Sequence, residues 1–184
     1  MLILGIDPGT ATTGFGLIEK LPNGIGVGEF GLIETPKDGK PGERLIDIHQ
    51  QFSRLLTRLK PDVVAVEKLF FATNAKTAMS VGQAIGIILF TAAKCQVEIV
   101  EYAPGTIKKQ IAGSGRADKK MMQKAVRKIL GAKVRSRIHG KTHFDNSADA
   151  LAVALCHAYN INAKSKSKTQ NSKLERRWLK DGRS

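Results

Sequence analysis

Three acidic elements lie far apart in the chain, and each sits at the tip of an apolar segment. Leu2-Ile3-Leu4-Gly5-Ile6 climbs to Asp7, and Pro8-Gly9 then forces a turn. Val63-Val64-Ala65-Val66 ends in Glu67, and Asp145-Asn146-Ser147-Ala148-Asp149 opens an alanine-rich stretch. Carboxylates that converge repel one another, so they hold ionised oxygens together only around hard cations. Mg²⁺ takes oxygen ligands, keeps several waters and commonly shares the phosphate oxygens of a substrate. Two such ions about 4 Å apart can activate a water and stabilise the leaving oxygen of a phosphodiester. Taken singly, each acid reads as a solvated strand end or, for Asp145, as a helix N-cap. Together they predict a metal site.

The charge balance points the same way. Thirty basic against sixteen acidic residues give a net charge of +14, which at 184 residues indicates a polyanionic partner. At this length, 42% hydrophobic residues suffice for one real core. No basic-then-apolar leader precedes the first strand. The most apolar helix, around Val81 to Ala93, reads as too short to span a bilayer and carries Gln83. Cys95 and Cys156 match no metal spacing and are expected to be small buried hydrophobes of a reduced, cytosolic protein.

The elements that must position the acids follow from periodicity. Leu2 to Ile6 is too apolar for a half-solvated strand and reads as buried on both faces. Residues 12–20 and Ile25 to Ile33 form two more strands around a turn at Pro22-Asn23-Gly24. Glu43 to Leu59 is an amphipathic helix with Leu45, Ile48, Phe52, Leu55, Leu56 and Leu59 on one stripe. After the strand ending at Glu67 come a helix over Ala75 to Lys94, a strand over Val97 to Glu101 and a short helix from Pro104 through Gln110. Asp118 caps a helix with Met122, Ala125, Val126 and Ile129 inward, and residues 145–161 form the last helix with Leu151, Ala152, Leu155 and Tyr159 buried. The order β-β-β-α-β-α-β-α is that of the α/β ribonuclease H-like fold, a five-stranded mixed sheet flanked by helices. In it the first and fourth strands are neighbours, which would bring Asp7 beside Glu67. Residues 1–162 are expected to form this domain. Residues 163–184 hold eight basic and two acidic side chains and read as a disordered cationic tail that contributes to polyanion binding, with a short helix near Leu174 to Leu179.

Five motifs in register carry a resemblance: Gly5-Ile6-Asp7-Pro8-Gly9; Glu67 with Phe70 and Asn74-Ala75; Gly82-Gln83-Ala84; Gly113-Ser114-Gly115-Arg116-Ala117-Asp118-Lys119; and Ala148-Asp149-Ala150-Leu151-Ala152. From about residue 2 to 160 the chain resembles the RuvC family of Holliday junction resolvases. The resemblance implies a homodimeric, Mg²⁺-dependent endonuclease that nicks two like-polarity strands of a four-way DNA junction, with two ions per site and Mn²⁺ as a substitute. It places Asp7, Glu67 and Asp149 on the catalytic acids and Lys108 and Lys119 near the scissile phosphate. It makes Phe70 an aromatic wedge at the crossover and Arg116, with its glycine loop, a phosphate contact. It further implies a branch-migration helicase partner, no membrane, and a bacterial cytoplasmic, nucleoid-associated location. The chain departs from the pattern at the fourth acid: the family's Asp is Asn146 here. Asp145, Asn146 as a neutral amide ligand, and His143 are the candidates, with Asp145 preferred.

Rival readings come from the same residues. Gly5-Ile6-Asp7 and Gly9-Thr10 also resemble the first phosphate loop of the actin, Hsp70 and sugar-kinase ATPases, but those need two such domains. A related nuclease acting on RNA, and a non-catalytic junction-binding module with vestigial acids, remain as alternatives.

Overall fold

Strand β1 (Leu2–Asp7) lies in the middle of a five-stranded sheet. The computed structural model describes residues 1–36, 38–69, 75–131 and 147–161. On one side β1 pairs antiparallel with β2 (Thr12–Leu21), which turns back into β3 (Gly24–Glu34). On the other it pairs parallel with β4 (Val63–Glu67), and β4 pairs parallel with β5 (Glu98–Tyr102). The order β3-β2-β1-β4-β5 is the expected mixed sheet, with first and fourth strands adjacent. Register runs from Ile3 opposite Val63 to Ile6 opposite Val66, so Asp7 and Glu67 leave neighbouring strands at one edge.

Helices cover both faces. Helix α1 (Pro41–Leu59) supplies the crossover that parallel pairing of β1 and β4 requires. It packs with α2 (Ala75–Lys94) on one face, where Leu4, Ile6, Val64 and Val66 meet Ile48, Phe52, Ala84 and Ile88. Helices α3 (Pro104–Ala112), α4 (Lys119–Leu130) and a further helix, α5, over residues 147–161 cover the other. There Ile3, Val63 and Ala65 meet Ile107, Met122, Val126, Leu151 and Leu155. Side chains alternate across a strand, so Gly5 and Asp7 follow Ile3, and Glu67 follows Val63 and Ala65, onto the face of α5.

Gly5 is what lets α5 lie there. A Cβ at this position would stand 2.0 Å from the Ala150 carbonyl oxygen and 2.7 Å from the Ala154 amide nitrogen. The helix backbone therefore rests on the strand backbone itself.

Two expectations are corrected by the fold. Helix α2 has the expected bounds, but its apolar stretch is not too short: Thr77–Lys94, of mean hydropathy 1.3, is long and apolar enough to cross a membrane by length and composition. Its inner stripe, Ala84, Ile88 and Ala92, is instead part of the domain core. Cys95, just beyond that helix, is exposed, whereas Cys156 is buried as expected. The basic loop after Gly131 and the tail lie outside the described residues.

Gly5→Ala is expected to cost about 3 kcal/mol, the upper end of overpacking, because the clash is with backbone that has no rotamer to yield. Urea unfolding measures this; a change near zero would mean that α5 does not rest on β1.

Candidate active site

Three elements deliver the acids. Asp7 ends β1, Glu67 ends β4, and Asp149 lies in the first described turn of α5, beside the Ala150 carbonyl that covers Gly5. Asp7 and Glu67 line a cleft of about 200 Å³ with Pro8, Leu69, Ile85 and Pro104. The turn after Asp7 is clamped by Thr13, which is fully buried. Its hydroxyl donates to the Gly9 carbonyl at 2.7 Å and accepts from the Gly9 amide at 3.3 Å. Beyond Glu67, the Lys68 amide donates to the Tyr102 carbonyl at 2.8 Å, extending the β4–β5 ladder. At the start of α5 the Ser147 hydroxyl donates to the Gly31 carbonyl at 3.1 Å, tying the helix to β3.

The electrostatics show that the acids feel one another. Burial pushes the Asp7 carboxyl up from 3.8 to about 6, with Asp149 adding to the rise and Lys119 opposing it. Glu67 is pushed up from 4.5 to about 7 by burial, then by Asp7 and Asp149, against Lys108. Asp7 and Glu67 are thus raised by loss of solvent and by like charge, two of the three causes that move a pKa.

Lys119, the first residue of α4, places Nζ 3.6 Å from Asp149 Oδ2. Asp118 caps that helix through the Met121 amide at 2.8 Å, as expected. Arg116 is exposed on the α3–α4 loop, where Gly113 takes a φ of 80° and buried Ala117 anchors the turn. Asp7, Glu67, Asp149, Lys108 and Lys119 are thus brought together, with Arg116 on the loop leading into α4. Phe70, His143, Asp145 and Asn146 lie outside the described residues.

Among the described residues no three acid, imidazole or thiol groups already stand at metal-ligand spacing. The donor set itself fits a hard divalent cation. It consists of carboxylate oxygens gathered at one sheet edge, and oxygen is the ligand such ions take.

Supporting residues are harder to foresee from sequence. Thr13 carries only a faint signal, a threonine four residues after a turn glycine that can bond back to it. Arg44 donates through Nε to Thr35 Oγ1 at 2.8 Å, and Thr35 donates to the Thr10 carbonyl at 2.7 Å. That relay joins α1 to the loop after Asp7, and no local pattern announces it.

The comparisons with known proteins agree with this geometry. Residues 3–157 match the family model described as crossover junction endodeoxyribonuclease RuvC. A curated relative of that name from Desulfitobacterium hafniense is 44% identical over 162 residues, which cover 88% of this chain and 94% of the relative. The Thermus thermophilus RuvC structure superposes with a TM-score of 0.76 at 32% identity, covering 89% of this chain and 97% of that one. T. thermophilus RuvC in complex with a Holliday junction substrate gives 0.75 at 29% identity, covering 89% and 96%. The fold and site define an α/β nuclease of ribonuclease H-like architecture. The chain belongs to the RuvC family of crossover junction endodeoxyribonucleases.

The raised acids have a consequence for stability. The folded state holds these protons more tightly than the unfolded chain, so the contribution of these two acids to stability is fully present below about pH 4 and is lost as pH rises to 6–7. In chelator, Asp7→Asn is therefore expected to raise stability at pH 8 by about 2–3 kcal/mol, with the gain shrinking toward zero near pH 4. Thermal melts across this range check it; equal stability of the two proteins at pH 8 would contradict the strain.

Proposed function

We propose that this protein resolves four-way DNA junctions by paired, metal-dependent hydrolysis of phosphodiester bonds in recombination and repair. The observation that carries the reading is the meeting of Asp7, Glu67 and Asp149 at one sheet edge, in a chain whose family match spans that whole site.

Asp7, Glu67 and Asp149 would hold the metal, with Asp145 as fourth ligand and Asn146 as the alternative. Mg²⁺, two ions per site and replaceable by Mn²⁺, would activate the attacking water and stabilise the leaving oxygen. The chain's own groups do the rest. Lys108 and Lys119 hold fixed positive charge beside the acids, where charge develops on the scissile phosphate. Arg116 and the backbone amides of its glycine loop bind a neighbouring phosphate. Phe70, on the exit from β4, acts as the wedge that unstacks bases at the crossover. The protein acts in the bacterial cytoplasm at the nucleoid, alongside a branch-migration helicase.

Two symmetric cuts call for two identical sites, which an isologous dimer supplies. Helix α2 offers the surface. Met79, Gln83, Gly86, Phe90 and Ala93 are all exposed and recur at steps of four and three along it, the spacing of a helix-packing seam. Phe90 is 57% and Met79 70% exposed, and a Cβ at Gly86 would meet nothing among the described residues outside its own helix within 4 Å.

The functional test is nicking of a synthetic four-way junction, compared with linear duplex and RNA–DNA hybrid, with and without divalent ion. The wild-type chain is expected to cut the junction only with metal. Asp7→Asn should bind it with little loss, because the basic surface supplies most of the affinity, yet leave it uncut. Asp145→Asn should raise the Mg²⁺ required without changing Tm. Cutting by Asp7→Asn would overturn the site, and preference for the hybrid would assign the chain to RNA instead. For the dimer, Gly86→Leu is expected to shift sedimentation toward monomer while leaving the melt intact; a tight dimer in that variant would place the interface elsewhere.

A further inference from the structure

A second cavity, of about 520 Å³, opens between the loop after Asp7, the first turn of α1 and the start of α2. Thr10, Pro41, Arg44, Thr77, Ser80 and Gln83 line it. Helix α2 is the wall between this cavity and the acid cleft. Val81 and Ile85, four apart on one side of the helix, line the acid cleft. Ser80 and Gln83, three apart on another side, line the second cavity. The loop after β1 borders both, with Pro8 in the first and Thr10 in the second.

The lining is rich in donors, and among the described residues it holds no carboxylate and one charged side chain, Arg44. Arg44 Nε is spent on Thr35 Oγ1 at 2.8 Å, which fixes the guanidinium and leaves both terminal nitrogens unused. Among the described residues no acid pairs with it. Glu43 turns back to the Lys40 amide at 3.1 Å, and Asp47, one turn further along α1, makes no ion pair with Arg44. The Thr10 hydroxyl and the Gln83 amide likewise have no partner among the described residues. A guanidinium held in place and left without a counter-charge suits a phosphate, which accepts two parallel N–H donors from it.

Given the junction-cutting function proposed above, we propose that this cavity binds a second phosphate of the strand being cut. Arg44 forks onto its oxygens, and Thr10, Ser80 and Gln83 donate around it. The two clefts stand about a helix width apart, about 10 Å. That is about three nucleotides of rise along one strand. The Thr35 hydroxyl that accepts from Arg44 donates to the Thr10 carbonyl at 2.7 Å, three residues past Asp7. A phosphate on Arg44 is thereby held in register with the loop that follows the first acid.

The test is a scan of neutral methylphosphonates, placed one at a time along the strand around the crossover and read as binding of a synthetic junction without metal. The wild-type chain is expected to lose roughly tenfold in affinity at a position about three nucleotides from the cut. Arg44→Ala should bind the unmodified junction roughly tenfold more weakly, with a salt slope lower by about 1. It should be indifferent to the methylphosphonate at that one position while still responding to the others. Ser80→Glu sets a carboxylate against the phosphate from the α2 wall and leaves the Arg44–Thr35 bond intact. It should give the same selective loss with a wild-type melt, and it decides the question even if Arg44→Ala does not fold. A wild-type scan and salt slope in Arg44→Ala, or wild-type binding by Ser80→Glu, would overturn the subsite. A loss in both variants that leaves every position of the scan as sensitive as before would overturn it too. Because the scan reads binding, it decides the subsite independently of cutting. A wild-type chain that left the junction uncut in Mg²⁺ would instead strike the nuclease reading.

Discussion

Burial of carboxylates at one sheet edge, with their mutual repulsion added to it, is the constraint around which the rest of the molecule is arranged. Left to themselves, three carboxylates would separate into water. Here each is fixed to an element that cannot move away. Asp7 and Glu67 are the last residues of two hydrogen-bonded parallel strands, and Asp149 rides on a helix whose backbone touches Gly5. The cost of holding Asp7 charged is about 3 kcal/mol at neutral pH, from its shift of roughly two pKa units. Against that, fully burying Ile3, Leu4 and Ile6 of the same strand contributes roughly 5–9 kcal/mol. A β1 less apolar than this would not hold its own carboxylate at the edge.

The same arithmetic explains why the site is legible in the sequence. A strand must be conspicuously hydrophobic to carry a strained acid, and Leu2 to Asp7 and Val63 to Glu67 are. Their adjacency is what the ribonuclease H-like fold matched by the element order implies, and α1 supplies the crossover that returns the chain beside β1. Asp118 announces its helix through capping chemistry. The features that stay hidden depend on contacts between distant segments. Gly5 reads as an ordinary strand glycine until α5 is seen lying on it. Thr35 and Arg44 form a relay to the loop after Asp7 that no local pattern encodes. The exposure of Cys95 escapes the sequence because a small thiol at a helix end carries no periodicity to tell inside from outside. The bounds of α2, Ala75 to Lys94, are legible in the sequence, and only the reach of its apolar stretch is underestimated.

The two ends of the sheet divide the work. The edge with Asp7 and Glu67 gathers negative charge among the lysines of α3 and α4, so a phosphate backbone is drawn to a basic surface and meets the acids only there. The other end, around Met1 and the β2–β3 hairpin, is apolar and far from the chemistry. The exposed stripe of α2 is a third surface. Its apolar outer face costs solubility in a monomer, a cost that the proposed dimer would remove.

The most direct test of this account is to follow the Asp7 and Glu67 carboxyl carbons by NMR titration in the metal-free protein, then in the presence of Mg²⁺. Midpoints near 6 and 7 are expected without metal. Both should fall when Mg²⁺ is added, because a cation among the carboxylates favours their charged form. Titration of both acids at ordinary carboxylate values, unmoved by Mg²⁺, would contradict the claim that the fold holds them together against their own repulsion for a metal to bind.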